Sequence, residues 1–352
     1  MSSSGPGKRL ALALGAAAAI VAALAVWGTG GGRLVVYCAH DRVYSEEVLA
    51  RFTEETGIAV SARFDTEATK SLGLVEQIAR EAAAPRCDVF WNNEVLGTMD
   101  LERRGLLEQY RGPGYARIPE AYRDPEGRWT GFAARMRVWI VNTDKIAPAR
   151  GAVRSAIKGD LSGVAIARPL FGTTLTHYCV LSDLWGLDAL RTWHRDWRAR
   201  GAREVPGNSS VKDLVAAGTC DLGLTDTDDF FLAKDEGRPV AMVPFRTGDA
   251  GAAPSGGRQS PDRIILIPNT VAIVKGTRRP DGARRLVDWL LSAETELALA
   301  RSRARQIPLG EVPRAELPGE VAELAALVDE GCPLGGLSPA REAIIEWLKA
   351  ER

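Results

Sequence analysis

Apolar positions recur along this chain in two rhythms. From Arg33 onward, short β-branched and aromatic runs alternate with stretches whose apolar residues return every three or four positions, the pattern of successive α/β units. Leu34 to Cys38 reads as a first strand; a helix capped by Ser45 and running to Thr56 puts Val48, Leu49 and Phe52 on one face, and Gly57 ends it. Ile58 to Phe64 follows as a strand, then a helix from about Thr69 with Leu72, Val75, Ile78, Ala79 and Ala82 inward, then a buried strand from Cys87 to Trp91.

A short helix with Leu96 and Met99 stops at Gly105, and a proline-rich surface segment leads to two strands, Trp129 to Ala133 and Arg137 to Asn142. A second α/β block begins at strand Val164 to Ala167. It continues with helices Thr173 to Trp185, Leu187 to Arg200 and Val211 to Ala217, and a strand from Asp221 to Thr225. Gly248 to Pro261 reads as a flexible loop. Ile264 to Ile267 and Thr270 to Val274 are returning strands, and helices near Asp281 to Leu291, Ala293 to Ser302, Val321 to Val328 and Pro339 to Ala350 complete the chain. The expected architecture is a two-lobed α/β fold. Residues 33–134 with 264–318 form one lobe, 135–263 with 319–352 form the other, and strand ends of both face a cleft that closes by hinge motion.

Composition narrows the function. Across 352 residues, 45 Lys and Arg balance 45 Asp and Glu, which removes the basic footprint that phosphate-backbone binding requires, so nucleic acid is not an expected partner. Lys8 and Arg9 precede an uncharged apolar run from Leu10 to Trp27, closed by a glycine-rich linker through Gly32. This is a signal peptide or membrane anchor, and it places everything after residue 32 outside the cytoplasm, with the membrane touched only through residues 10–27. Export permits disulfides among Cys38, Cys87, Cys179, Cys220 and Cys332, with Cys179–Cys220 the feasible pair, yet no zinc-type spacing occurs.

No nucleophile elbow, zinc-protease motif or phosphate loop is present. Of the histidines, His194 reads as solvated decoration on a charged helix face and His177 as core or as support for a site. His40 follows the first strand and Glu94 the third, so an imidazole and a carboxylate share one rim; the plain alternative is ordinary strand-end polarity. Thr69-Lys70-Ser71 and Gly172-Thr173-Thr174 open helices toward the same cleft, where exposed amides and the helix dipole favour an oxyanion, and Arg135 beside the hinge adds a guanidinium. Simple capping by Thr and Ser is the competing explanation.

Strand one ending in His40, the segment Asp65 to Ser71, Asp88 to Trp91 with Asn93-Glu94, Thr130-Gly131-Phe132 before Arg135, Gly172-Thr173-Thr174, Gly207-Asn208-Ser209 and Gln306-Ile307-Pro308 together resemble the ferric-ion-binding branch of the ABC-importer solute-binding proteins. The resemblance runs from about Arg33 to the end and implies a type II periplasmic-binding-protein-like fold. It implies a periplasmic receptor, usually monomeric and without a required cofactor or enzymatic activity, that carries iron(III) with a phosphate- or carbonate-type anion to an inner-membrane ABC permease. The family's histidine and glutamate ligands match His40 and Glu94, and its anion site matches Arg135, Thr173, Thr174 and Asn208.

The family completes the iron shell with two adjacent tyrosines, where this sequence reads Asp226-Thr227-Asp228-Asp229-Phe230-Phe231. Asp228 and Asp229 in the tyrosine places leave a carboxylate-rich metal site of altered selectivity. Equally, with Asp226 lining the cleft, carboxylates opposite anion-binding helix starts suit an organic anion or a zwitterion such as an aminophosphonate. A slip of one residue would instead put Phe230 in the cleft, and helix capping by the three aspartates is the plain alternative. A hydrolase or transferase pairing His40 with Asp228 or Glu94 is the remaining, enzymatic reading.

Overall fold

The computed structural model describes residues 32–65, 72–249, 262–335 and 337–351. The N-terminal run 10–27, the candidate anion residues Thr69, Lys70 and Ser71, and most of the 248–261 loop lie outside them. Among the described residues no helix is long and apolar enough to cross a membrane.

Ten strands form the framework: β1 (Leu34–Cys38), β2 (Val60–Phe64), β3 (Val89–Asn92), β4 (Leu107–Glu108), β5 (Thr130–Asn142), β6 (Val164–Ala167), β7 (Arg203–Val205), β8 (Leu222–Asp226), β9 (Val240–Pro244) and β10 (Leu266–Val274). The principal helices are α1 (Arg42–Thr56), α2 (Leu72–Arg80), α3 (Leu96–Arg103), α4 (Gly172–Trp185), α5 (Leu187–Ala199), α6 (Asn208–Ala216), α7 (Thr227–Asp235), α8 (Pro280–Leu290), α9 (Ala293–Arg301) and α10 (Ser338–Ala350). Strand order is β2-β1-β3-β10-β5-β8-β6-β7, with β4 beside β10 and β9 beside β5. The burial follows from that order. β3, β5 and β10 are buried at every position and carry near-continuous apolar runs, whereas β2 at one edge and β7 at the other are largely accessible.

β1 pairs in parallel with β2 and β3, and β6 in parallel with β7 and β8, so each half contains the expected α/β units. The two expected strands around Arg135 are one strand, β5. Its first half pairs antiparallel with β10 and its second half with β8 and β9. Two arginines inside the apolar run hide its continuity in the sequence. β10 is likewise continuous where two short strands were expected, with a register shift between Ile267 and Asn269 around Pro268. Helix α1 starts at Arg42, before Ser45; the Ser45 hydroxyl donates to the Asp41 carbonyl at 3.0 Å instead of capping the helix start.

All five thiols are buried and unpaired, so the Cys179–Cys220 pairing is not made. The crossover of β5 is anchored by Glu296, which is fully buried. Its carboxylate accepts from the backbone N–H groups of Ala133 (3.0 Å), Leu309 (2.8 Å) and Gly310 (3.1 Å) and pairs with Arg117 at 3.3 Å. Ala133 needs such an anchor, since its φ of 43° is a strained value for a residue with a side chain. Glu296→Ala strands three buried donors and should cost about 3 kcal/mol or more of unfolding free energy in urea denaturation.

Candidate functional site

The halves meet at a cavity of about 220 Å³. One wall is Asp41, Asn93, Glu94 and Arg135; the other is Ala167, Arg168, Phe171 to Thr174, Gly207 to Ser209, and Asp226, Asp228 and Asp229. Each contributor sits at the end of an element. Asp41 and Glu94 follow β1 and β3, Asp226 closes β8, and α4 and α6 start at the cavity with their first-turn amides free of intrahelical partners. Gly172 takes φ 60° at the start of α4, a conformation natural to glycine, and so lets the chain turn sharply from β6 into the helix.

The floor is a buried polar network centred on Asp226. Its Oδ1 accepts from Arg137 Nη1 at 2.6 Å, and its Oδ2 from Thr173 Oγ1 at 2.6 Å and Asn208 Nδ2 at 2.9 Å. Thr174 Oγ1 donates to Asn208 Oδ1 at 3.1 Å. Thr173, Thr174 and Asn208 are therefore gathered at one place, as expected, but tied to each other and to Asp226. Arg137, which the sequence reading passed over as the start of a strand, makes this possible. It lies two residues from Arg135 on the same face of β5 and is fully buried.

Arg135 reaches the cavity between the two walls. It donates to the Asn93 carbonyl and lies 3.7 Å from Asp228 and 4.0 Å from Asp226, while its Nε has no partner among the described residues. One carboxylate oxygen from each of Asp226, Asp228 and Asp229 falls within 4.8 Å of the others. Burial pushes the Asp228 carboxyl up, against the pull of Arg135, and Asp226 and Asp41 add to the rise. Burial, then the charges of Asp228 and Asp226, push Asp229 up to about 7, although Thr225 Oγ1 donates to it at 2.7 Å. Phe230 is buried and off the cavity wall, so the one-residue slip does not occur.

His40 and Glu94 stand differently from each other. Glu94 lines the cavity, yet its oxygens accept from the N–H groups of Leu96 (2.6 Å) and Gly97 (2.8 Å), capping the start of α3. His40 is buried behind the wall, 5.3 Å from the Trp91 ring, with Nε2 2.6 Å from Gln306 Nε2. An amide NH₂ only donates, so the imidazole Nε2 accepts, and the proton on Nδ1 faces the Asp41 carbonyl at 3.3 Å. His194 is not surface decoration. It is 1% exposed, between Tyr178 Oη at 2.9 Å and Glu204 at 3.4 Å. His177 is core, and burial holds its pKa well below the usual imidazole range.

Beyond Arg137, the structure adds Asp41, Arg168 and Phe171 to the residues the sequence singled out. Asp41 was legible as a strand-end carboxylate next to His40. Arg168 and Phe171 had no signal beyond their place after β6.

A profile of the family described as bacterial extracellular solute-binding protein matches residues 34–302. The iron uptake protein A1 of Synechocystis sp. is 25% identical over 300 residues, covering 84% of this chain and 80% of that one. Among solved structures, iron-bound HitA from Pseudomonas aeruginosa superposes with a TM-score of 0.71 at 20% identity, covering 90% of this chain and 99% of that one. The periplasmic binding protein AfuA from Actinobacillus pleuropneumoniae, with fructose-6-phosphate bound, gives 0.65 at 21% identity, covering 91% and 98%. Both share the two-lobed α/β fold.

The raised carboxyls have a thermodynamic consequence. A carboxyl whose pKa is higher in the folded than in the unfolded chain contributes stability below the ordinary carboxylate range and loses it as pH rises through the folded value. For Asp229 that loss spans about pH 4 to 7. The difference in melting temperature between the ligand-free protein and its Asp229→Asn variant should therefore move against the wild type as pH rises across that window. A difference moving the other way would contradict the burial of this carboxylate.

Proposed function

The chain belongs to the bacterial extracellular solute-binding protein family, and on that premise we propose that it carries ferric iron with a synergistic oxyanion to an ABC permease of the inner membrane. One observation carries the reading: three carboxylates converge at the cavity that also gathers Arg135 and the starts of α4 and α6. A hard cation takes oxygen ligands, and Asp228 and Asp229 supply them without disturbing the Asp226 network. Glu94 accepts from Leu96, Gly97, Asn92 and Thr176, so it joins the cation only by giving up one of these donors. His40 joins only by releasing Gln306. The oxyanion sits against Arg135, Thr173, Thr174 and Asn208, where unpaired amides and the Arg135 Nε await an acceptor.

Binding without turnover is supported by His40 being held by Gln306 behind the wall, off the cavity lining. We assign residues 33–134 with 264–318 to one lobe and 135–263 with 319–352 to the other, moving about β5 and β10. Residues 10–27 act as export signal or membrane anchor, with everything after residue 32 outside the cytoplasm. No cofactor is needed, and the working unit is a monomer.

A second reading has a specific observation behind it. Asp228 and Asp229 stand where the family resemblance implies two tyrosines, and carboxylates facing an arginine and two helix starts suit a zwitterion, such as an aminophosphonate, as well as they suit iron. AfuA, of the same fold, has a sugar phosphate bound.

Native mass spectrometry of the exported protein as isolated separates the two. A mass excess of iron with a small oxyanion is expected, and in the Asp228→Asn/Asp229→Asn double variant iron affinity falls by more than the about 10–100-fold cost of losing an outer partner. An organic solute without metal would reject iron as cargo. Under either ligand, Arg135→Met and Glu94→Gln each lose ligand-induced thermal stabilisation, read by differential scanning calorimetry, and wild-type stabilisation in both would overturn the site.

A further inference from the structure

Two side chains of the turn between β6 and α4 have no part in the reading above. Phe171 is 46% exposed and is the one exposed large apolar side chain among the described residues. It lines the cavity immediately before Gly172. Arg168 also lines it, is exposed, and has no ion-pair partner among the described residues, although most arginines around it are paired. An unburied phenylalanine loses apolar surface to water, and an uncompensated guanidinium beside it is an oxyanion receptor without its anion.

The cavity of about 220 Å³ does not end at these two side chains. Arg168 further lines a neighbouring space of about 370 Å³, with Pro169, Leu170 and Leu348 as its apolar members, so space continues past the turn.

We infer that the β6–α4 turn reads a carbon skeleton: the solute's anion is an organic oxyanion, its acid group held by Arg135 and the helix starts, and its carbon part covered by Phe171 with Arg168 over its far end. The inference rests on the oxyanion half of the proposed function and specifies its chemical class. It holds for an organic acid bound free and for one bound as the partner of a metal.

A series with one acid group and a growing carbon part tests it: phosphate, methylphosphonate and phenylphosphonate, titrated calorimetrically into iron-free and iron-loaded full-length protein. Wild type should bind phenylphosphonate about tenfold more tightly than phosphate, from the aromatic area covered. In Phe171→Ala that ratio should collapse toward one, and Arg168→Met should weaken phenylphosphonate, whose ring reaches the far end, while leaving phosphate unchanged. Because Phe171 is exposed, the Ala variant should keep the wild-type melting temperature. Equal affinities across the series, a preference that survives Phe171→Ala, or no binding by either form would overturn the inference. A Phe171-dependent preference seen only with iron loaded makes the organic anion the metal's partner. The same preference seen only without iron supports the inference while rejecting iron as cargo.

Discussion

The ion pair between Arg137 and Asp226 is the constraint from which the site follows. The two residues face each other across the β5–β8 ladder, both essentially inaccessible to water, with 2.6 Å between Nη1 and Oδ1. Burying two charges carries a desolvation cost of several kcal/mol per ion, offset only where geometry is good and remaining lone pairs are filled. Those of Asp226 are filled by Thr173 and Asn208, the first-turn residues of α4 and α6, while Arg137 Nε and Nη2 have no partner among the described residues. The pair therefore fixes where two helices begin. With Asp226 neutralised, the charge that a solute meets comes from the carboxylates of Asp41, Glu94, Asp228 and Asp229 and the guanidinium groups of Arg135 and Arg168.

That arrangement leaves two further carboxylates on the cavity lining, outside the Asp226 network. Asp228 and Asp229 occupy the first turn of α7, whose dipole favours negative charge, so the helix tolerates carboxylates there whatever the cargo. Their partial burial raises the energy of the charged, empty state. A cation entering the cavity relieves it, whether a metal or the ammonium of a zwitterion.

Much of this was legible in the sequence, for physical reasons that also mark where reading stopped. Apolar runs such as Val89 to Trp91 and Leu222 to Leu224 announce central strands, and residues just beyond them, His40, Glu94 and Asp226, had to lie at strand ends. Gly172-Thr173-Thr174 announced a helix start by composition. Arg137 gave no such sign, because a charged residue in a strand looks like a break until its partner is known, and that partner is 89 positions away. His194 failed for a similar reason: its neighbours Arg195 and Asp196 are charged, but Trp193 and Trp197 turn the opposite face of α5 into the core and carry the imidazole with them. His40 was placed at the right strand end, yet only the fold brings up Gln306 to hold it.

The central strand has a consequence for how the molecule comes into being. β5 is completed on one side only when Leu266 to Val271 arrive to pair with Met136 to Thr130, which closes loops of about 130 residues or more. Such long-range pairing makes folding slow, because loop-closure entropy must be spent before the contacts return it. A chain whose middle strand waits for residues so far downstream stays open while its first half emerges. That delay favours threading through an export channel over premature collapse on the side of synthesis.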